Sequence, residues 1–249
     1  MYLNTTGLVL RETAYKESSK ILTVLTEDEG KITLTARGAL RRNSKLAAAA
    51  QLLVISEMTL FSNRDRWTLT EARSIEQFRG LQHDILRLAL GSYFAELTEA
   101  VADEDSPNTA LLPLCLNALF ALSEGIKDTS FVKPAFELRL MAASGFAPLI
   151  SHCSGCGRKE PEAGYLDLTG GVLFCADCAM PGGPMLRKSA LQAARYIVAC
   201  DLKKLFSFTL GDESLREITI VVERYLLSQL ERRFRTLEYY KGLKNYGFV

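Results

Sequence analysis

A chain of 249 residues, 48% apolar and 24% charged, has the composition of an ordinary soluble protein and the length for one large domain or two to three small ones. No run of 18 or more apolar residues occurs, which excludes a membrane-spanning helix. The first residues, Met1-Tyr2-Leu3-Asn4-Thr5-Thr6, lack the charged start and apolar stretch of a secretion signal. A cytoplasmic location, with thiols kept reduced, is therefore expected.

The net charge of +1 hides an asymmetry. Residues 1–80 hold 12 Lys/Arg against 9 Asp/Glu, residues 81–186 hold 6 against 13, and residues 187–249 hold 12 against 7. Basic ends around an acidic middle fit a polyanion-facing surface built from both ends, though surface charge also fluctuates on this scale without purpose.

The first 80 residues read as β-structure. Thr6–Leu10, Lys20–Thr26, Lys31–Ala36, Leu52–Phe61 and Trp67–Ser74 are short runs rich in Val, Ile, Leu and Thr, separated by polar turn signals such as Glu27-Asp28-Glu29-Gly30 and Ser62-Asn63-Arg64-Asp65. Ile32, Leu34 and Ala36 alternate with Thr33, Thr35 and Arg37, the period of a half-buried strand. Five short strands suit a small closed barrel, because closure removes exposed edges. Strand count alone leaves an OB-fold and an SH3-like barrel both open.

After Gln77 the period becomes helical. Leu81, Ile85, Leu88, Tyr93, Phe94 and Leu97 recur at helix spacing. Asp103-Glu104-Asp105-Ser106-Pro107-Asn108 is a loop, and Ser106 or Asn108 is placed to cap a helix over Thr109–Glu124. Pro134 stands near the start of a further helix that runs through Met141 and ends at Ser144-Gly145. Beyond a cysteine segment at 148–183, closed by Pro181-Gly182-Gly183-Pro184, two more helices are expected over Ser189–Cys200 and Asp212–Arg235.

The cysteine segment carries the clearest chemistry. Cys153-Ser154-Gly155-Cys156-Gly157 and Cys175-Ala176-Asp177-Cys178 are two C-x2-C knuckles eighteen residues apart. Two residues between thiolates let both sulfurs point into one tetrahedral site, and two knuckles complete a zinc sphere. Tyr165-Leu166-Asp167-Leu168 and Val172-Leu173-Phe174 flank Thr169-Gly170-Gly171, a hairpin that returns the second knuckle to the first. Paired disulfides need an oxidising compartment. A redox pair needs only one knuckle. An iron–sulfur cluster is chemically permitted, but zinc is the commoner occupant. One structural zinc ion on Cys153, Cys156, Cys175 and Cys178 is expected, with no position left for a reactive water. His152 reads as a solvent-facing neighbour, and Cys115 and Cys200 as small apolar residues in helices.

A second constellation is electrostatic. No acidic residue occurs from Gly30 to Ser56, whereas Lys31, Arg37, Arg41, Arg42 and Lys45 all fall there. Such a segment after a strand can contact phosphates without reading bases. Tyr15, Phe61 and Trp67 are candidate platforms for bases, although Phe61 and Trp67 are expected in the core. Arg232, Arg233 and Arg235, closing the last long helix, form a candidate second basic patch, or simply complement the helix C-terminus. No Walker loop, GxGxxG, HExxH or GxSxG motif is present, and the only histidines are His83 and His152, so catalysis is not expected.

Several of these residues carry a resemblance. Gly7-Leu8-Val9-Leu10-Arg11, Tyr15-Lys16-Glu17-Ser18-Ser19-Lys20-Ile21-Leu22, Glu29-Gly30-Lys31-Ile32-Thr33-Leu34, Ala36-Arg37-Gly38-Ala39 and Pro148-Leu149-Ile150, together with the first knuckle, resemble the RecO family of bacterial DNA repair proteins. The likeness covers nearly the whole chain, weakest in the C-terminal helices. It implies an α+β chain with an OB-fold DNA-binding domain over 1–79 and a helical domain over 80–249, into which the zinc module 148–183 is inserted. It also implies a nucleoid-associated recombination mediator that binds single- and double-stranded DNA, anneals complementary strands, and works with RecR and RecF. Such a protein helps load RecA onto DNA coated by single-stranded DNA-binding protein. Lys31, Arg37, Arg41, Arg42 and Lys45 inherit the family's DNA-contact expectation. A protein-interaction scaffold and a zinc-dependent nucleic-acid enzyme are the competing classes.

Overall fold

The structure is a computed structural model that describes residues 1–64, 66–104, 106, 108–178 and 183–245. Asp65 of the expected turn, Asp105 and Pro107 of the acidic loop, and Pro181-Gly182 at the close of the cysteine segment lie outside the described residues. The chain divides into two compact units, Met1–Glu124 with Phe234–Val249, and Gly125–Arg233.

The first unit begins with five strands: β1 (Tyr2–Tyr15), β2 (Ser19–Thr26), β3 (Gly30–Ala36), β4 (Ile55–Asn63) and β5 (Arg66–Glu76). They close in the order β1-β2-β3-β5-β4. All neighbouring pairs are antiparallel except β3 and β5, which pair in parallel. This closed five-stranded arrangement is that of the OB-fold, which resolves the choice that strand count left open. In β3 the expected alternation holds: Ile32, Leu34 and Ala36 are buried while Thr33 is exposed. With Val9, Leu22, Val24, Met58, Leu60 and Leu69 they fill the barrel. A Cβ on Gly7 would stand 2.5 Å from Val24 Cγ1, so the missing side chain lets β1 close on β2. β1 is longer than its apolar run because Arg11–Tyr15, although exposed, continue the ladder with β2 after a bulge at Val9/Arg11.

Two helices of this unit follow, α1 (Ile85–Val101) and α2 (Leu111–Ser123). Asp84 caps α1, its carboxylate accepting from the N–H groups of Leu86 and Arg87. Asn108 Oδ1 accepts instead from Ala110 N–H, one residue before α2, and α2 begins without a side-chain cap.

The second unit holds α3 (Thr129–Ala143), a three-stranded sheet of β6 (Gly164–Asp167), β7 (Val172–Cys175) and β8 (Met185–Leu186), then α4 (Lys188–Ala199) and α5 (Asp212–Leu230). Pro134 lies inside α3, not at its first turn. A buried ion triad links α3 to α5: Lys133 Nζ is 2.8 Å from both Glu137 Oε1 and Glu223 Oε2.

The helix expected over Asp212–Arg235 is in fact two. α5 stops at Leu230, Glu231 takes a left-handed conformation (φ 48°), and α6 (Arg235–Asn245) starts anew in the first unit. Within that unit Phe234 is buried with its ring centroid 5.9 Å from that of Tyr93 on α1. The first turn of α6 is held by the Glu96 carboxylate, which accepts from Thr236 N–H at 3.1 Å. Seating Phe234 is what a continuous helix would forgo.

Candidate metal centre and nucleic-acid interface

The four cysteines of the C-x2-C knuckles meet in the second unit, with their sulfurs all within 4.8 Å of one another. The β6–β7 hairpin produces the meeting, as its turn sequence foretells. Gly171 sits at φ 67° and donates to Asp167 O, while Asp167 Oδ1 accepts from Thr169 N–H. Gly164 is thereby paired with Cys175. Ser154 N–H bonds to Leu173 O, laying the first knuckle beside β7, and Gly157 at φ 73° makes the turn past the second sulfur. Gly155 is required by proximity: a Cβ there would stand 2.9 Å from Cys178 Cβ.

The donor set fits a tetrahedral metal. Four ligands at a zinc–sulfur distance of about 2.3 Å place sulfurs roughly 3.8 Å apart, and Cys156 Sγ lies 3.8 Å from Cys175 Sγ. The N–H groups of Cys175 and Gly155 point at Cys153 Sγ, at 3.2 and 3.4 Å. Backbone N–H groups of Cys175, Cys156 and Gly155 bring the Cys153 thiol down to about 6. Hydrogen bonding to Cys156 and Cys175, together with burial, pushes Cys178 up to about 12. Four sulfurs this close cannot all be anionic unless a cation sits among them, and a divalent ion bound there would hold all four as thiolates. Cys153 and Cys175 are buried and Cys156 is exposed. The module is braced by α4 and α5: Arg195 donates to Ile150 O and Pro161 O, and Gln229 to Leu168 O and Thr169 O.

His152 is exposed, its Nδ1 3.1 Å from Ser151 Oγ. Cys115 is buried against Thr98, and burial raises its thiol to about 12. Cys200 is only partly buried, at the C-terminal end of α4.

On the barrel, Arg37 follows β3 and lines three adjoining concavities. The first, of about 460 Å³, also holds Tyr15, Lys16, Ser18, Ser19, Arg41, Arg66 and Thr68. The second, of about 460 Å³, holds Asn63, Arg64, Arg66 and Thr68. The third, of about 500 Å³, holds Leu46, Phe61, Asn63, Thr68, Leu69 and Thr70. Sharing of Arg37 and Thr68 makes them one groove between the β1–β2 turn and the β4–β5 turn, the region where OB-folds take oligonucleotides. Among the described residues that line it, four are arginines, one is a lysine and none is acidic.

Of the residues expected from sequence, the structure brings Arg37 and Arg41 together in this groove. Arg42 and Lys45 are exposed on the same loop but do not line it. Lys31 stands at the opposite end of β3, roughly 20 Å away by strand rise, and its ammonium donates to Glu99 O at 3.0 Å. The loop after β3 is tied down: Leu40 N–H bonds to Ser18 O and Gly38 N–H to Ser19 Oγ. Gly38 takes a left-handed conformation (φ 68°) that favours glycine, and the Arg41 side chain lies over it. Tyr15 is exposed, with Lys16 Nζ 5.3 Å from its ring centre. Trp67 packs on the barrel core and Phe61 is half-buried beside Tyr2. Arg232, Arg233 and Arg235 are exposed; the first two end the second unit and Arg235 opens α6.

Sequence reasoning missed Lys16, Arg64 and Arg66. Their signal was the topology itself: once β5 pairs in parallel with β3, Leu34 opposite Trp67 and Ala36 opposite Leu69, the β4–β5 turn must lie beside Arg37.

A closed OB barrel with a cationic groove in one compact unit, and a four-cysteine cluster among helices in the other, define an α+β protein with a candidate anion-binding face and a candidate metal centre. Residues 1–78 match the family model described as Recombination protein O N terminal, and residues 82–238 that described as Recombination protein O C terminal. The chain belongs to this RecO family of DNA repair proteins. It is similar to the DNA repair protein RecO of Acetivibrio thermocellus, 32% identical over 244 residues covering 97% of each chain. It is 33% identical over 248 residues to that of Symbiobacterium thermophilum, covering 97% of this chain and 98% of the relative. To that of Caldicellulosiruptor bescii it is 30% identical over 242 residues, covering 97% and 99%. No helix among the described residues is long and apolar enough to cross a membrane.

Proposed function

We propose that this chain is a non-catalytic recombination mediator of the cytoplasm and nucleoid. It grips the sugar–phosphate backbone of single- and double-stranded DNA and anneals complementary strands. With RecR and RecF it assists the loading of RecA onto DNA coated by single-stranded DNA-binding protein. The observation that carries this reading is the convergence of Arg37, Arg41, Arg64, Arg66 and Lys16 on one groove of a closed OB barrel. Guanidinium groups bind phosphates without regard to base identity, and a strand held by its phosphates keeps its bases free to pair. Arg42 and Lys45, exposed on the loop after β3, extend the contact, and Lys31 adds charge at the far end of that strand. The β-barrel, residues 1–79, is the DNA-binding domain in this reading. Residues 80–249 are the helical domain, with the module at 148–183 inserted in it.

Cys153, Cys156, Cys175 and Cys178 hold one structural zinc ion in this reading, supported by their mutual approach and by the N–H groups aimed at Cys153. Zinc there supplies folding energy and no reactive water.

Strand annealing tests the function. Complementary oligonucleotides are mixed with pure protein, with and without single-stranded DNA-binding protein, and duplex formation is followed by fluorescence quenching. Acceleration in both mixtures is expected. Binding to DNA without any acceleration would leave a scaffold and not an annealing protein.

A further inference from the structure

We infer that the Phe61 end of the barrel groove is a receptor for an unstacked nucleobase, so that one base of a single strand is held off the pairing face while its phosphates lie on the arginines. The inference rests on the reading of the groove as a nucleic-acid interface and specifies what its apolar end binds. The two ends differ in chemistry. At one end Lys16, Arg41 and Arg66 surround Arg37. At the other, a pocket of about 500 Å³ is walled by Leu46, Phe61 and Leu69 and edged by Asn63, Thr68 and Thr70.

That volume falls within the range of small-molecule pockets, and its make-up, apolar walls with a few polar groups, is that of sites that orient a flat heterocycle. Asn63 is exposed at the rim, and its amide offers both donor and acceptor to a base edge. Thr70 Oγ1 donates to Thr59 O at 2.8 Å, which leaves the hydroxyl able to accept. Phe61 is half-buried, with the exposed ring of Tyr2 5.0 Å away, so aromatic surface continues past the pocket.

Charge complementarity selects the occupant. An apolar pocket that shares Arg37, Asn63 and Thr68 with an arginine-lined depression suits a molecule with an anionic linkage joined to an uncharged ring. A nucleotide within a strand is that molecule. In a duplex the rings are stacked and paired inside the helix and do not reach such a pocket, so it acts on single strands alone.

The test compares Phe61→Leu, which keeps bulk and loses the aromatic face, and Asn63→Ala, which alters only an exposed rim. Fluorescence anisotropy is run on three probes of equal length: a mixed-sequence single strand, its duplex, and an abasic strand, each variant being compared with the unaltered protein on the same probe. Arg37→Ala serves as the control for the groove, and thermal melting confirms folding. Phe61→Leu is expected to weaken single-strand affinity by about fivefold or more, the scale of one lost base stack, and Asn63→Ala to weaken it in the same direction, while the duplex and abasic affinities of both stay within about twofold. Unchanged single-strand affinity, or equal loss on all three probes, would overturn the base pocket. If Arg37→Ala also left every affinity unchanged, the underlying reading of the groove would fall with it.

Discussion

Leu34 on β3 and Trp67 on β5 are register partners in the parallel pairing of the barrel. Through that pairing two segments thirty residues apart in sequence share one edge. Arg37, just beyond the end of β3, and Arg66, at the start of β5, come to line the same depressions. The cationic groove is thus a consequence of strand order and not of a contiguous basic run.

Position within the barrel, more than charge, is expected to rank the basic residues. Arg37→Ala should weaken DNA binding severalfold, whereas Lys31→Ala should change it by less than twofold. The Lys31 ammonium is already engaged by Glu99 O, so its loss is expected to lower stability by about 1 kcal/mol instead. Parallel anisotropy and urea titrations of the two variants check the ranking.

The four sulfurs are expected to bind one zinc per chain, read by elemental analysis. Cys153→Ser with Cys156→Ser should abolish binding and release the 148–183 module from its packing, because the ion's affinity is folding energy of about 10–16 kcal/mol in isolated zinc modules. Proteolysis would report the loosened module. A metal-free protein that resists both chelator and protease would contradict the assignment.

The triad in the second unit makes a further prediction. Lys133 is buried, which works to lower its pKa, yet Glu137 and Glu223 outweigh burial and raise it above 10.5. A value raised in the folded state gives stability that is complete below the unfolded value and is lost as pH rises through the folded one. Lys133→Met should cost about 3–5 kcal/mol by leaving two carboxylates without their cation, whereas replacing all three residues by apolar ones should recover most of that. Denaturant unfolding of the single and triple variants distinguishes these outcomes.

Gly80 is expected to tolerate no side chain. A Cβ there would lie 2.1 Å from Ser123 O, a backbone atom that cannot swing aside. Gly80→Ala should therefore destabilise the first unit by roughly 1–3 kcal/mol, seen as a lower urea midpoint with an unchanged slope.

Local patterns made much of this protein legible in advance. The period-two alternation of Ile32, Leu34 and Ala36 gave β3, and the two knuckles with Thr169-Gly170-Gly171 between them gave the cysteine cluster, since each signal lies within a few residues. What escaped depends on distant partners. Arg11–Tyr15 form strand despite their polarity because β2 offers a ladder to pair with. Asp212–Arg235 reads as one helix until the burial of Phe234 against Tyr93 is known. Lys16 and Arg66 look like ordinary turn cations until β3 and β5 are seen side by side. Sequence proximity gathered Lys31 with Arg37, which the length of β3 separates.

The most direct test of the central claim is the salt dependence of DNA binding by Arg37→Ala combined with Arg66→Ala. Affinity for single strand and duplex should fall together, whatever the sequence, and the slope of log K against log salt should become shallower by about two, one for each lost phosphate contact. Unchanged affinity and an unchanged slope in the folded double variant would show that DNA does not lie in this groove.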